Sequence, residues 1–375
     1  MQRHVTVNIS PAAFAANIRF LRQAVRPAQL CVVMKSDAYG HGLAALAPVA
    51  LEAGADYLGV CTNPEAAVVR RLDTEIPLLR LRSALPDEYE ESAGSLHLEE
   101  QVGSEAVADY LDGLGRGRGR AIPVHIKIDT GMGRSGFLPG QVESVKRVCG
   151  LTGLRVVGVM THLPNADDAD LGGTRRQLEA FWGLREALDG CVPDDVLTHT
   201  HNSAAAIRLS ERRGDLVRSG AACFGVRTSR AFENPPELQP VMSMRTRIME
   251  VRSLPAGATI GYGGLFRTTR PTRIATIPVG FGEGYPRSLF NKGIVLIKGQ
   301  RCPVVGRVSL NITTIDITDL EADVGWGEEV MLVGGQGKES ITFEELADQF
   351  QSVHTEINLM AGSMNERSYQ DSPLT

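Results

Sequence analysis

Short apolar runs alternate with helical stretches over residues 10–226, and this alternation restricts the fold of the chain more than any other feature. The runs at 30–34, 57–60, 78–81, 124–128, 156–160, 196–199 and 222–226 read as strands, each ending in polar or glycine-rich residues, and helical stretches such as 64–71 and 174–188 lie between them. Strand and helix in alternation build a parallel sheet, because each helix returns the chain to the edge where the next strand begins. So many units in this span fit a (β/α)8 TIM-type barrel, whose lower size limit is about 200 residues. A doubly wound α/β sheet is the second choice.

Beyond residue 226 the texture changes to alternating β-branched segments at 274–279, 293–297, 303–308 and 313–317, with turns such as Pro255-Ala256-Gly257. The expected organisation is an α/β barrel over 10–228, a β-rich C-terminal domain over 229–367 and a polar tail at 368–375 that frays. Residues 4–9 alternate in the same way as the β-rich domain and are a candidate strand of it. No internal repeat of fixed period is evident.

A length of 375 residues matches about two domains, and the 43% hydrophobic and 22% charged content is ordinary for a globular protein. A net charge of −5 gives no electrostatic reason to expect nucleic acid. The basic run Gly115-Arg116-Gly117-Arg118-Gly119-Arg120 is either an RNA contact or a solvated loop, and its isolation before a strand favours the loop. Six cysteines are scattered without metal or redox spacing, which implies reduced thiols. The first residues lack the apolar core of a signal peptide and no apolar stretch is long enough for a membrane span, so a cytoplasmic location is expected.

Lys35 ends the apolar run at 30–34 and opens the segment Lys35-Ser36-Asp37-Ala38-Tyr39-Gly40-His41-Gly42. An amine at the C-terminal mouth of a barrel strand is half desolvated, which suits it to Schiff-base formation with pyridoxal 5′-phosphate (PLP). The alternative is a rim lysine paired with Asp37. The cluster Lys127-Ile128-Asp129-Thr130-Gly131-Met132-Gly133-Arg134 ends another strand, with His125, Lys127 and Asp129 on one face. Its glycines would let backbone approach a small ligand and Arg134 offers a fork for a carboxylate; a structural rim network is the competing reading. His199 and His201 have the spacing of a metal pair, but nothing completes the set and no metal is expected. Asn202 and Ser203 instead open a helix whose free N–H groups suit a phosphate, and Gly220 after Arg218-Ser219 permits a similar close approach.

Six segments in order, Lys35 to Gly42, Lys127 to Arg134, His201 to Ala206, Arg218 to Gly225, Ile260 to Gly264 and Gly306 to Asn311, resemble the successive motifs of PLP-dependent alanine racemases and related broad-specificity amino-acid racemases. The resemblance spans nearly the whole chain. It implies a homodimer with shared active sites, an amino-acid substrate with alanine as the default, and no nucleic-acid or membrane partner. It makes Lys35 the PLP lysine and brings Tyr39, Ser203, Gly220 and Ala221 to the phosphate, with Asn202 and His162 beside the cofactor. Arg218 would donate to the pyridine nitrogen, and Tyr262 would enter from the other subunit.

Racemisation removes a proton from one face of the α-carbon and returns it to the other, so opposed bases are needed, and the resemblance assigns them to Lys35 and Tyr262. A tyrosine, with its usual pKa of about 10, needs cationic or hydrogen-bonding neighbours for this, and His162 and Arg218 are the candidates. Arg134 would hold the substrate carboxylate or polarise the phenolate, and Lys127 would support Arg134; related enzymes often carry that lysine as a carbamate.

Departures from the alanine-specific pattern point toward the broad-specificity branch. Phe281 stands where a tyrosine is usual, Leu310-Asn311 where Met-Asp is usual, Ser36-Asp37 in place of Ala-Asn, and the usual C-terminal tyrosine has no clear counterpart in residues 356–363. Serine, lysine or arginine are therefore alternative substrates. Remoter readings are a fold-related PLP decarboxylase of basic amino acids, for which no partner cysteine is placed, and a non-catalytic PLP carrier, which needs no second base.

Overall fold

The computed structural model describes residues 4–227 and 237–371, so the expected domain boundary at 228–229 lies outside the described residues. The chain divides into two compact units: a barrel unit of Ala15–Ala38 and Leu43–Leu238, and a second unit of Met1–Phe14, Tyr39–Gly42 and Gln239–Thr375.

The first strand, β1 (Thr6–Ile9), belongs to the second unit; β2 to β9 build the barrel. They are β2 (Gln29–Val33), β3 (Tyr57–Val60), β4 (Leu78–Arg80), β5 (Glu100–Val102), β6 (Ile122–Lys127), β7 (Leu154–Met160), β8 (Leu197–His199) and β9 (Leu216–Ser219). All neighbours pair in parallel, in the orders β4-β3-β2-β9 and β5-β6-β7-β8. The two arcs join where Arg80 N–H donates to the Glu99 carbonyl at 2.9 Å, and where Arg218 N–H donates to the His201 carbonyl at 3.0 Å. A closed (β/α)8 barrel results.

The period-two pattern of β6 explains its two faces. Val124 and Ile126 pack with Val156, Val159, Leu111, Val148, Phe181 and Leu184 in the layer between strands and outer helices. His125 and Lys127 alternate with them and are buried on the opposite, interior face. Glu65 reaches back to the Thr62 amide at 3.1 Å while the Thr62 hydroxyl accepts from the Glu65 amide, a capping box that starts the helix Asn63–Leu72.

Two sequence expectations fail here. The expected strand at 222–226 is a 3-10 turn, Ala221–Phe224, ended by Gly225 at φ 78°; the last barrel strand is β9, whose buried Arg218 and Ser219 mask its apolar start. The strand β5 was not expected at all, since two of its three residues, Glu100 and Gln101, are polar yet buried.

In the second unit, β10 (Met242–Arg247), β11 (Glu250–Leu254), β12 (Thr259–Ile260), β13 (Phe266–Arg267), β14 (Thr272–Ile277), β15 (Ile294–Ile297), β16 (Gln300–Pro303), β17 (Thr313–Asp316), β18 (Glu329–Gln336), β19 (Glu339–Ile341) and β20 (Arg367–Tyr369) form three sheets. The largest has the order β16-β15-β18-β10-β1-β20, with β19 on β18. Of the strand expected at 303–308, Pro303 ends β16 opposite Ile294 and Val304 makes an isolated bridge to Ile315, and Gly306 at φ 73° then turns the chain away. β1 runs antiparallel to β10 and parallel to β20.

The tail expected to fray from residue 368 is instead held at its start. Ser368 and Tyr369 lie in β20, Gln370 N–H donates to the Ile9 carbonyl at 3.0 Å, and the Asp371 carboxylate accepts from Ala12 N–H at 2.8 Å. Backbone pairing outweighs the polar composition. Among the described residues no helix is long and apolar enough to cross a membrane.

Candidate active site

Lys35 emerges directly after β2. The four residues that follow, Ser36, Asp37, Ala38 and Tyr39, have φ of 54°, 52°, 55° and 54°, a left-handed run that costs roughly 1–2 kcal/mol per residue for L-amino acids. Such strain persists only where surrounding contacts over-determine it. Here Glu65 accepts from Ser36 N–H at 2.5 Å and from Cys61 N–H at 2.8 Å, and the Asp37 carboxylate accepts from Leu43 N–H at 2.7 Å. Asp37 thus helps to shape the turn.

Asp129 has a similar task. Its carboxylate accepts from the amides of Gly131, Met132, Gly133 and Arg134 at 2.9, 2.8, 3.0 and 2.9 Å. Burial works against its ionised form, but these four donors outweigh burial and hold its pKa below the usual carboxylate value. Gly131 at φ 136° and Gly133 at φ 68° let the loop wrap around that carboxylate. Arg134 is left exposed at the strand mouth.

His162, half-buried just after β7, records what surrounds it. Burial first, and then the charges of Arg218, Lys127, Arg134 and Lys35, push its pKa down to about 3. The mouths of β2, β6, β7 and β9 therefore gather basic side chains around one imidazole. Lys127 is itself buried, and burial with the nearby Arg218 and Arg134 disfavours its ammonium form strongly.

Arg218 is 6% exposed. Its guanidinium donates to His199 Nδ1 at 2.9 Å, to the His199 carbonyl at 3.0 Å and to the Thr161 carbonyl at 2.5 Å. Burial lowers its pKa to about 10, still high enough to stay charged at neutral pH. His199 is occupied by this contact, and burial together with Arg218 pushes its own pKa well below the usual value. The metal-pair spacing of His199 and His201 thus has another explanation.

Ser203 begins the helix Ser203–Arg208, and its hydroxyl meets Ser219 Oγ at 3.1 Å and accepts from the Gly220 amide at 3.0 Å. Ala221 follows at the start of the 3-10 turn. The Asn202 side chain is committed to capping, accepting from Ala205 N–H at 3.0 Å and donating to the Leu163 carbonyl at 2.9 Å. Any part it takes in phosphate binding is left to its backbone.

In the second unit the glycines after Tyr39 are packing residues. A Cβ at Gly40 would lie 2.7 Å from the Asn358 carbonyl oxygen, one at Gly362 would lie 1.9 Å from that of Gly40, and one at Gly42 would lie 2.0 Å from the Tyr369 hydroxyl. Arg367 and Tyr369 donate to the carbonyls of Gly40 and His41 at 3.1 and 3.2 Å.

Tyr262 stands in the turn between β12 and β13 and is 73% exposed within its chain. The Gly306-Arg307 segment supports this hairpin: a Cβ at Gly306 would lie 2.9 Å from the Ile260 carbonyl oxygen. Phe281 and Leu310, both exposed, come together because Phe281 N–H donates to the Ser309 carbonyl at 3.1 Å and Gly282 N–H to that of Leu310 at 2.8 Å. A cavity of 590 Å³ opens beside Phe281, between Tyr285, Arg287, Phe290 and Met360.

Residues that the sequence reading passed over are Glu65, which fixes the turn after Lys35, and Thr161, whose carbonyl holds Arg218. The only sequence signal for Glu65 is its place three residues after Thr62.

The N-terminal domain family of alanine racemase matches residues 9–228, and its C-terminal domain family matches residues 241–369. The alanine racemase of Halothermothrix orenii is 36% identical over 340 residues, covering 90% of this chain and 89% of that protein. A broad specificity amino-acid racemase of Vibrio vulnificus is 34% identical over 373 residues, covering 97% and 88%. The crystal structure of alanine racemase from Bartonella henselae with covalently bound pyridoxal phosphate superposes with a TM-score of 0.89 at 27% identity, covering 98% of this chain and 100% of that one. With a closed barrel that presents a lysine after its first strand, a β-rich second unit, and domain matches across nearly the whole length, the chain belongs to the alanine racemase family.

Proposed function

We propose that this chain interconverts the L- and D-forms of an amino acid, alanine in first place, with pyridoxal 5′-phosphate held at the strand mouths of the barrel. The observation that carries the reading is the gathering of Lys35, Arg134 and Arg218 around His162, while Asp129 is turned into backbone amides. A dianionic phosphate and a substrate carboxylate match this surplus of positive charge, and the cofactor therefore fits the residues present. Pyridoxal phosphate, when bound, withdraws electrons from the α-carbon of an attached amino acid and acidifies its C–H bond.

The chain's own residues supply the rest. Lys35 is the attachment point and the base on one face of the α-carbon, and Tyr262 is the base on the other. Ser203, Gly220, Ala221 and Tyr39 hold the phosphate, with the Asn202 backbone beside them. Arg218 donates to the ring nitrogen; a guanidinium cannot give up its proton as a carboxylic acid can, so electron withdrawal stays moderate and side reactions are limited. Arg134 receives the substrate carboxylate. His162, neutral at working pH, is a hydrogen-bonding neighbour of the phenol. Lys127 supports Arg134, and as a neutral amine it is suited to add carbon dioxide, forming an N–C bond and releasing a proton; an NMR signal from ¹³C-bicarbonate that disappears in Lys127→Ala would establish the carbamate.

A phenol 73% exposed in its own chain finds its working surroundings on a second copy, so the active unit is proposed as a homodimer with shared sites. The six cysteines are free, and burial pushes the Cys31 and Cys223 thiols up to about 12, which supports the cytoplasm as the compartment.

The second reading is a racemase of broader specificity. Phe281 and Leu310 are adjacent, exposed and without the hydroxyl and charge usual nearby, and a broad specificity relative exists.

The test is a panel of L-amino acids assayed for chiral inversion with PLP. Alanine should rank first; preference for serine, lysine or arginine would favour the second reading. A visible cofactor band should vanish in Lys35→Ala, and a colourless protein that ignores added PLP would remove the cofactor assignment. Tyr262→Phe should abolish α-proton exchange from one enantiomer far more than from the other. Mixed Lys35→Ala and Tyr262→Phe chains should regain activity, and no recovery in verified heterodimers would place the tyrosine within its own chain.

A further inference from the structure

Arg218 is one end of a continuous hydrogen-bonded line through the barrel interior. Its Nη1 lies 2.9 Å from His199 Nδ1, His199 Nε2 lies 2.8 Å from His125 Nδ1, and His125 Nε2 lies 2.7 Å from a carboxylate oxygen of Glu99. The two imidazoles meet edge to face, with centroids 4.9 Å apart at 88°. His125 and His199 are fully buried, whereas the Glu99 side chain keeps 15% exposure. Glu99 directly precedes β5, at the rim where strands begin, and faces a cavity of 570 Å³ there. Lys35 lies at the rim where strands end.

We propose that Glu99 and His125 are positioning residues: with His199 they form a one-way line that holds Arg218 as a hydrogen-bond donor from the rim of the barrel opposite Lys35. The inference rests on Arg218 meeting the cofactor's ring nitrogen.

The direction of the line follows from its ends. A guanidinium has no acceptor, so Arg218 donates and His199 Nδ1 accepts. The proton of His199 then sits on Nε2 and points at His125 Nδ1. That leaves the His125 proton on Nε2, pointing at a carboxylate, which only accepts. Both histidines are neutral and of one tautomer. A second proton on either would set two donors face to face.

A separate strand is shaped to make room for it. The pairing of β6 with β7 slips between Val124 and His125, which puts His125 opposite Gly158. A Cβ at Gly158 would lie 2.0 Å from His125 Nδ1, the atom that accepts from His199. The charged and titratable neighbours are Lys127 and Arg218 beside His199, and Tyr57, Cys31 and Arg70 beside Glu99, with Arg155 next to Tyr57.

The test uses the full chain loaded with PLP. In ¹⁵N-histidine NMR at pH 8, His125 and His199 should both carry the proton on Nε2; a proton on Nδ1 of either ring overturns the proposal without any variant. His125→Phe should lower kcat roughly ten- to a hundredfold, the scale of one charge-assisted hydrogen bond, with KM within about twofold, and should move the pH midpoint of the visible cofactor band. Gly158→Ala should share that signature. Glu99→Gln, at the accessible end, should give a weaker version, about three- to tenfold in kcat. Unchanged band midpoints in Glu99→Gln and His125→Phe, alongside a shifted one in Arg218→Lys, would discard the line and leave the ring-nitrogen contact standing. An unshifted band in Arg218→Lys as well would remove that contact, and the positioning role with it.

Discussion

Two arginines are buried in the same barrel wall and are treated in opposite ways. Arg80, on β4, is 0% exposed and faces Glu100 at 2.7 Å, with Asn63 at 2.5 Å and the Cys61 carbonyl at 3.3 Å completing its fork; Ser92 donates to the Glu100 carboxylate at 2.8 Å. Arg218, on β9, bonds to one imidazole and two carbonyls. The first charge is neutralised where it sits. The second is buried among neutral acceptors, at a cost in stability that gains nothing for the fold, which is the mark of a group kept for a ligand.

Breaking the neutralised pair gives the largest expected loss. Arg80→Leu strands the Glu100 carboxylate, and denaturant unfolding should report about 3–5 kcal/mol of destabilisation. Adding Glu100→Leu should recover most of it; a double variant as unstable as the single one would mean that Arg80 acts through its other bonds. Arg218→Leu should invert the pattern. Its kcat should fall about 10²- to 10³-fold, roughly 3–4 kcal/mol of transition-state stabilisation, while unfolding free energy changes far less than in Arg80→Leu. Equal destabilisation by the two would erase the contrast.

Acid sharpens it further. Burial, with Arg213 next, holds His201 down at about 4, and burial with Arg218 foremost among its neighbours holds His162 at about 3. The folded state then binds fewer protons than the unfolded chain below the usual histidine pKa of about 6.5. Stability from these groups is complete above about pH 6.5 and is lost as pH falls toward 4 and then 3. In His201→Gln the slope of stability against pH between 6 and 5 should flatten by about 1.2 kcal/mol per unit, the smallest of these effects. An unchanged slope would mean that His201 is charged in the folded protein.

The contrast also explains what could be read in advance. Apolar runs such as those of β2, β6 and β7 announce themselves, and residues at their ends, Lys35, Lys127 and His162, follow from the barrel's habit of placing chemistry there. Arg80 and Glu100 give no such signal, because each looks like a surface residue until the other is found across two strands. β5 was missed for the same reason. Asp37 and Asp129 were legible as members of polar clusters, yet their carboxylates organise turns, a role that depends on amide directions no residue order reveals. Tyr262 stood out only through resemblance: its hairpin alone reads as a turn aromatic, and its exposure adds the reason to look for a second chain.

The register of β1 reaches beyond the active site. Thr6 pairs with Arg245 and Val7 with Arg367, so the opening strand of the chain finds its first partner only after the barrel sequence has gone by. Joining such distant segments adds only slowly to loop-closure entropy, but it delays assembly. On the ribosome, the barrel sequence is complete while β1 still lacks both neighbours, and a nascent chain halted before residue 242 should leave that strand open to proteases.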